Sequence, residues 1–238
     1  MSASKTFLNL VNSVLVELRE TQVSTINATA YSPLIAKWVN DAKRQVEDAW
    51  DWQPLLSVIN LNLVVSQLDY DLTNLNPTLN ARARLQDNPF DRNRPMAFDV
   101  TTGTPFNLIQ MPVHWINQMR DKLPTPQLQT MPINFGLQRY NNGTNDGIML
   151  RMWETTQTIR NWRLYFTNPQ DDLVIETDPI YVPWMPVVAI ATDIALNERG
   201  EEIGEPGTTV DQRARVHISN AVGVDASFQS YKTDFVPN

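Results

Sequence analysis

The sequence predicts an α+β protein: a four-helix bundle built from an N-terminal and a C-terminal helix pair, with a mainly-β region inserted between them and a C-terminal tail. Three observations predict it. Apolar residues recur at helical spacing over 5–50 and again over 186–222. Over 55–170 the period shortens to two, and Asn-Gly and Asp-Gly steps punctuate the chain. The run 187–196 is apolar almost all round, with Asp193 its one charge, which is the composition of a helix enclosed by other elements.

Each element follows from its own residues. Phe7, Leu10, Val11, Val14, Leu15 and Leu18 share one face of a first helix over 5–20. The Thr-, Ser- and Asn-rich stretch TQVSTINATAYS is a loop. Ser32-Pro33 reads as N-cap and first position of a second helix. Its buried stripe is Ile35, Trp38, Val39, Ala42, Val46, Ala49 and Trp50, and Lys37, Lys43, Arg44, Glu47 and Asp48 are expected in solvent. Residues 59–65 and 68–72 alternate about Ser66-Gln67, the pattern of a hairpin-like strand pair. Asn, Pro, Asp and Arg make 74–95 loop-like. Further strands are expected at 96–100, 106–111, 133–140, 148–153 and 162–166, with turns at Asn142-Gly143 and Asp146-Gly147 and a short helix over 114–123. Pro186 opens the third helix, and Gly200 suits the left-handed residue past its end. The fourth helix is expected from Thr208-Thr209, with Asp211 in its first turn and Gly223 at its close. The expected division is therefore 1–54 and 181–225 for the helix pairs, 55–180 for the β insertion and 226–238 for the tail.

Composition narrows the function classes. The chain has 238 residues and no cysteine, so disulfides and thiolate metal sites are excluded. The stretch MSASKTFLNLVNSVLVELRE lacks the basic region and cleavage pattern of a signal peptide, and 187–196 is about half of the ~20 residues a spanning helix needs, so no membrane association is expected. Net charge is −7; residues 171–238 carry four basic and twelve acidic groups, whereas 101–170 carry six and three. A protein that grips nucleic acid through phosphates should instead show a dense basic face.

The chemistry-bearing residues read mostly as structural. His114 and His217 have no partner at metal-ligand spacing. Glu198, Glu201, Glu202 and Glu205 form an acidic cluster at a helix end; a metal-dependent hydrolase built on it is the rival reading, but no hydroxyl, lysine or histidine nearby completes a constellation. Gly200, Gly204 and Gly207 lack the lysine of a phosphate loop. No catalytic activity and no cofactor or metal are therefore expected. Seven tryptophans remain, Trp38, Trp50, Trp52 and Trp184 among them; they fill a core or anchor a subunit interface. Phe228, Tyr231 and Phe235 in the tail suit an arm that docks on another chain.

The pattern YSPLIAKWVNDAKRQVEDAWDWQPL, a β middle with LDYDL, then DPIYVPWMPVVAIATDIALNERGEEIG and a tail resembles the head-to-tail adaptors of short-tailed phages, similar to the tail tubular A proteins. The resemblance spans about residues 7–225. It implies a helical bundle with a β domain, assembled as a homo-oligomeric ring, typically dodecameric, below the portal protein and above the tail nozzle or hub. Genomic DNA passes through such a ring as a transient, non-specific passenger. The resemblance implies location in the virion neck, with assembly in the host cytoplasm, and no catalytic residues. It makes 226–238 the extension toward the portal, with Phe228, Tyr231 and Phe235 its anchors. Another neck component, such as a tail-completion protein, or a cellular α+β binding module are the alternatives.

Overall fold

The computed structural model describes residues 5–88, 91–122, 127–129, 132–141, 146–200 and 210–228. The fold is mixed α+β and divides into two compact units, Met1–Leu55 with Gln170–Asn238, and Leu56–Pro169. Six helices run in chain order among the described residues: α1 (Phe7–Glu17), α2 (Ser32–Ala49), α3 (Leu72–Leu75), α4 (Val113–Lys122), α5 (Trp184–Glu198) and α6 (Val210–Phe228).

The first unit holds α1, α2, α5 and α6. Thr6 caps α1, its hydroxyl accepting from the Asn9 amide. The apolar stripe of α1 is wholly inside: Leu10, Val11 and Val14 are fully buried. Each such burial contributes about 1.5–3 kcal/mol. The Asn12 side chain both donates to and accepts from the Val23 backbone, holding the loop that follows.

Helix α2 begins one residue earlier than the sequence suggests. Tyr31 occupies the capping position, and the Ser32 hydroxyl is taken up by Thr29, from whose amide it accepts and to whose carbonyl it donates. A larger correction concerns Lys43 and Glu47. Both are fully buried, and Lys43 Nζ lies 3.0 Å from Glu47 Oε1. The same ammonium donates to the carbonyls of Gln170 at 2.8 Å and Asp171 at 3.0 Å. Glu47 also accepts from the Gln170 amide, and Asn40 makes a two-way pair with the Leu173 backbone. A helical wheel counts these side chains as polar; it cannot see that a returning segment offers them backbone partners. Residues 170–180, which the sequence groups with the β region, belong to the helical unit through these bonds.

Helix α5 touches α1, α2 and α6. Pro186, Val187, Val188, Ala189, Ile190, Ala191, Thr192 and Ala195 are buried, so only a narrow side meets water. Gly200 ends it with φ +66, the left-handed conformation that glycine adopts without strain, and its amide bonds to Asn197 O. Helix α6 continues through Gly223 to Phe228, so residues 226–228 are helical where the sequence suggests a tail. A glycine in a helix costs about 1 kcal/mol relative to alanine, which does not end α6 here. Thr208, Thr209 and the tail from 229 lie outside the described residues.

In the second unit the strands are β1 (Leu56–Leu63), β2 (Asp69–Asp71), β3 (Arg84–Leu85), β4 (Asp87–Asn88), β5 (Asp91–Pro95), β6 (Ala97–Asp99), β7 (Phe106–Asn107), β8 (Ile109–Gln110), β9 (Gln127–Gln129), β10 (Asn134–Asn141), β11 (Asp146–Arg151), β12 (Glu154–Thr156) and β13 (Arg160–Thr167). One sheet has the order β1-β13-β6-β7, with β3 also on β13; another has β2-β11-β10-β8. Antiparallel register sets Ile59 opposite Leu164 and Leu61 opposite Trp162. All four are buried, as period-two alternation demands. Phe135 of β10 meets the Trp162 ring edge-on at 5.9 Å, so the two sheets share one core.

The strand pair expected around Ser66-Gln67 is not a hairpin. The turn is present, with Ser66 at φ +69 and Gln67 N bonded to Val64 O. Beyond it the strands part: β1 pairs with β13, and β2 pairs with β11. Tyr70 supplies the reason. Its hydroxyl accepts from the Val64 amide and donates to the Val64 carbonyl, using the groups a hairpin ladder would need. Within the expected loop 74–95, β3, β4 and β5 form short pairings. Among the described residues no helix is long and apolar enough to cross a membrane.

Candidate docking cleft

The helical unit carries an open cleft of about 800 Å³. Four pieces of chain build it. Lys5 precedes α1; Trp52 and Pro54 follow α2; residues 180–186 run into and through the first turn of α5; and His217, Asn220, Ala221, Val224 and Asp225 come from α6. The α6 residues recur at three and four positions, one face of a helix. Its neighbouring residues Ala214, Ile218 and Val222 face the core, so α6 shares itself between packing and cleft.

Backbone bonds position the walls. Phe7 N donates to Asp178 O at 2.9 Å, and Ile180 N to Lys5 O at 3.2 Å. The Asp178 carboxylate accepts from the Val174 and Ile175 amides, closing a tight turn just before. Gln170 Nε2 donates to Pro179 O. Pro183 stands at the N-cap of α5, and Trp184, Met185 and Pro186 make its first turn. The floor includes Trp52, which is buried and whose Nε1 donates to Val46 O at 2.7 Å. Lys5 Nζ stands 4.9 Å from the centre of the Trp184 ring, a cation–π contact. Trp50 Nε1 donates to Asp225 Oδ2 at 3.0 Å, tying α6 to the end of α2.

The rim is apolar and open to water. Tyr181 is 52% exposed, Met185 50% and Val224 61%. Large apolar side chains concentrated on a concave surface mark an interaction site, whereas scattered ones mean nothing. The cleft therefore offers apolar contact area with a few polar groups at its edges.

The residues singled out in the sequence distribute differently. His217 lines the cleft, half-buried, and His114 is exposed on α4. Trp38 is buried against the Tyr31 ring, edge-on at 5.9 Å. Glu198 is exposed in the last turn of α5. Glu201, Glu202 and Glu205 lie outside the described residues, as do Tyr231, Phe235 and the Phe228 side chain. Among the described residues no three His, Cys, Asp or Glu side chains gather where they could hold a metal ion. Arg199, next to Glu198 in sequence, turns inward. It donates to the Tyr31 hydroxyl and to Glu20 at 2.9 Å each and stacks 4.6 Å over the Tyr31 ring. Burial acts to lower its pKa, but these partners outweigh that and hold it above the ordinary arginine value.

Lys5, Tyr181, Met185 and Asp225 were not foreseen. A signal for part of them exists in the sequence: Tyr181, Trp184 and Met185 are large apolar residues inside a proline-bounded segment too short to form a core. No protein-family model and no curated protein matches this chain.

Proposed function

We propose that this chain is the repeating subunit of a structural adaptor ring in a phage virion, joining the portal to the tail and forming part of the DNA passage. In this reading α1, α2, α5 and α6 form a four-helix bundle and the β unit is its insertion. The ring, a dodecamer by resemblance, docks on the portal protein above and on a nozzle or hub protein below. The observation that carries the reading is the open apolar cleft with Tyr181, Met185 and Val224 at its rim. A ring subunit contacts two neighbours through two different patches, so it needs apolar surface beyond its own core. The acidic balance of 171–238 also suits the role: an acidic wall repels phosphate and lets DNA slide, where a basic one would hold it.

Light scattering during size-exclusion chromatography tests the reading. A ring subunit gives a species of many chain masses, alone or on addition of portal. A single chain mass under both conditions speaks for a cellular binding module that uses the same cleft for a small partner.

A further inference from the structure

We propose that β1 is a pairing edge for a second copy of this chain: the two β1 strands meet antiparallel and join their sheets into one. The proposal does not rest on the ring reading or on the cleft. Strand β1 ends its sheet and is bonded to β13 alone. Which of its groups point outward follows from β13. The Tyr165 amide donates to Met96 O, its carbonyl accepts from Gln86 N, and the Asn161 carbonyl accepts from Val100 N. Those partners flank β13 on the side away from β1. The odd-numbered residues of β13 therefore turn from β1, and the even-numbered ones bond to it. By register, Ser57, Ile59, Leu61 and Leu63 take those bonds. Leu56, Val58, Asn60 and Asn62 are left with both N–H and C=O directed to the open edge, where none of them meets a hydrogen-bond partner among the described residues.

Sheet edges are normally guarded by a charge, a proline, a bulge or short length. Strand β1 has none of these: LSVINLNL is 8 residues long and its register is unbroken. No charged residue occurs from 52 to 68, although charged residues make up 19% of the chain. That neutrality selects the occupant. An antiparallel self-pair sets each residue against another of the same strand, so a charge on it would face its like. Here Leu56, Val58, Asn60 and Asn62 face one another without repulsion. One charge on the same face comes from β13: Arg163, opposite Asn60, donates to Asn60 Oδ1 at 3.2 Å. In the joined sheet it stands three strand spacings from its counterpart, about 14 Å, which is beyond the reach of unscreened repulsion at physiological salt. The paired edges form about six to eight hydrogen bonds, depending on register, and the exposed Leu56 and Val58 side chains gain cross-strand neighbours. The contact is isologous, unlike the head-to-tail contacts that close a ring.

The chain has no cysteine, so single cysteine substitutions in the full chain test this. Val58→Cys and Asn60→Cys are oxidised mildly, each alone and as a mixture, beside Leu75→Cys, which changes an exposed residue of the same unit. Opposed Cα atoms of a bonded pair lie about 5.5 Å apart, within reach of a disulfide. The central registers oppose 58 to 58, 60 to 60 or 58 to 60. One of the samples should therefore crosslink about tenfold or more faster than Leu75→Cys, as thiols held together do against thiols that meet by diffusion. Proline at the other position, in Val58→Cys/Asn60→Pro and Asn60→Cys/Val58→Pro, should return that rate to the Leu75→Cys level. Each proline deletes an outward N–H and leaves the ladder to β13 whole, which near-UV circular dichroism checks. Crosslinking no faster than that of Leu75→Cys in every sample overturns the proposal, and so does fast crosslinking that the prolines do not slow. The ring reading is scored apart from this. A ring in which these variants crosslink slowly overturns the proposal alone, and fast crosslinking in a chain that forms no ring, with or without portal, supports it while the ring reading fails.

Discussion

Lys43→Met is the substitution with the largest consequence worked from this structure. The methionine fills similar space but removes three donor contacts, to Glu47, Gln170 O and Asp171 O. Glu47, also fully buried, loses the ammonium from which it accepts. Breaking a buried pair by deleting one partner costs about 3–5 kcal/mol, roughly 150-fold or more in the folding equilibrium. With a urea m-value of about 2–3 kcal/mol/M for a chain of this size, the midpoint falls by roughly 1–2 M. Lys43→Met/Glu47→Leu removes both charges. It removes the ammonium from which the Gln170 and Asp171 carbonyls accept and the carboxylate to which the Gln170 amide donates, a cost of about 1–3 kcal/mol. The double variant should therefore be more stable than the sum of the singles implies. Urea unfolding followed by tryptophan fluorescence, with hydrogen exchange of 170–180 as the local readout, measures both. If Lys43→Met stays within about 0.5 kcal/mol of the parent, or the two substitutions simply add, the pair does not anchor the returning chain.

Three more expectations use other parts of the fold. Glu154 lies buried in β12, and burial raises its carboxyl pKa against the lowering effect of the Ile133 amide and the Asn134 side chain. Its stabilising contribution is therefore present below the ordinary carboxylate pKa of about 4.3 and is lost as pH rises through the raised value; Glu154→Gln should flatten the Tm–pH curve there and raise Tm at pH 7. Gly136→Ala would set a Cβ 3.2 Å from Met111 O and 3.3 Å from Ile116 and Val113 side-chain carbons, so calorimetry should report a loss of about 1–3 kcal/mol. Tyr181→Ser/Met185→Ser changes exposed rim residues: Tm should shift little, by about 0.5 kcal/mol equivalent per site, while sedimentation velocity should show loss of assembly.

Local periodicity is what the sequence states most openly. The stripe of α1 and the enclosed character of α5 were readable because each side chain's fate there depends on spacing alone. The alternation of β1 and β13 was readable for the same reason, but their pairing was not. Partner choice depends on contacts about a hundred residues apart, and Tyr70 closing on Val64 defeats the local hairpin signal. Lys43 and Glu47 were misread for a related reason: whether a charge is buried depends on what the distant chain brings to it. The cleft shares this dependence, since its walls come from four separated segments. Arg199 shows the same at one residue, where an apparent surface charge is claimed by Tyr31 and Glu20.

Negative-stain electron microscopy of the purified full chain, alone and mixed with the portal protein, tests the central reading most directly. The adaptor account predicts closed rings with a central channel, stacked coaxially on the portal in the mixture. Single particles of one chain's mass in both samples, with portal rings left bare, would contradict it.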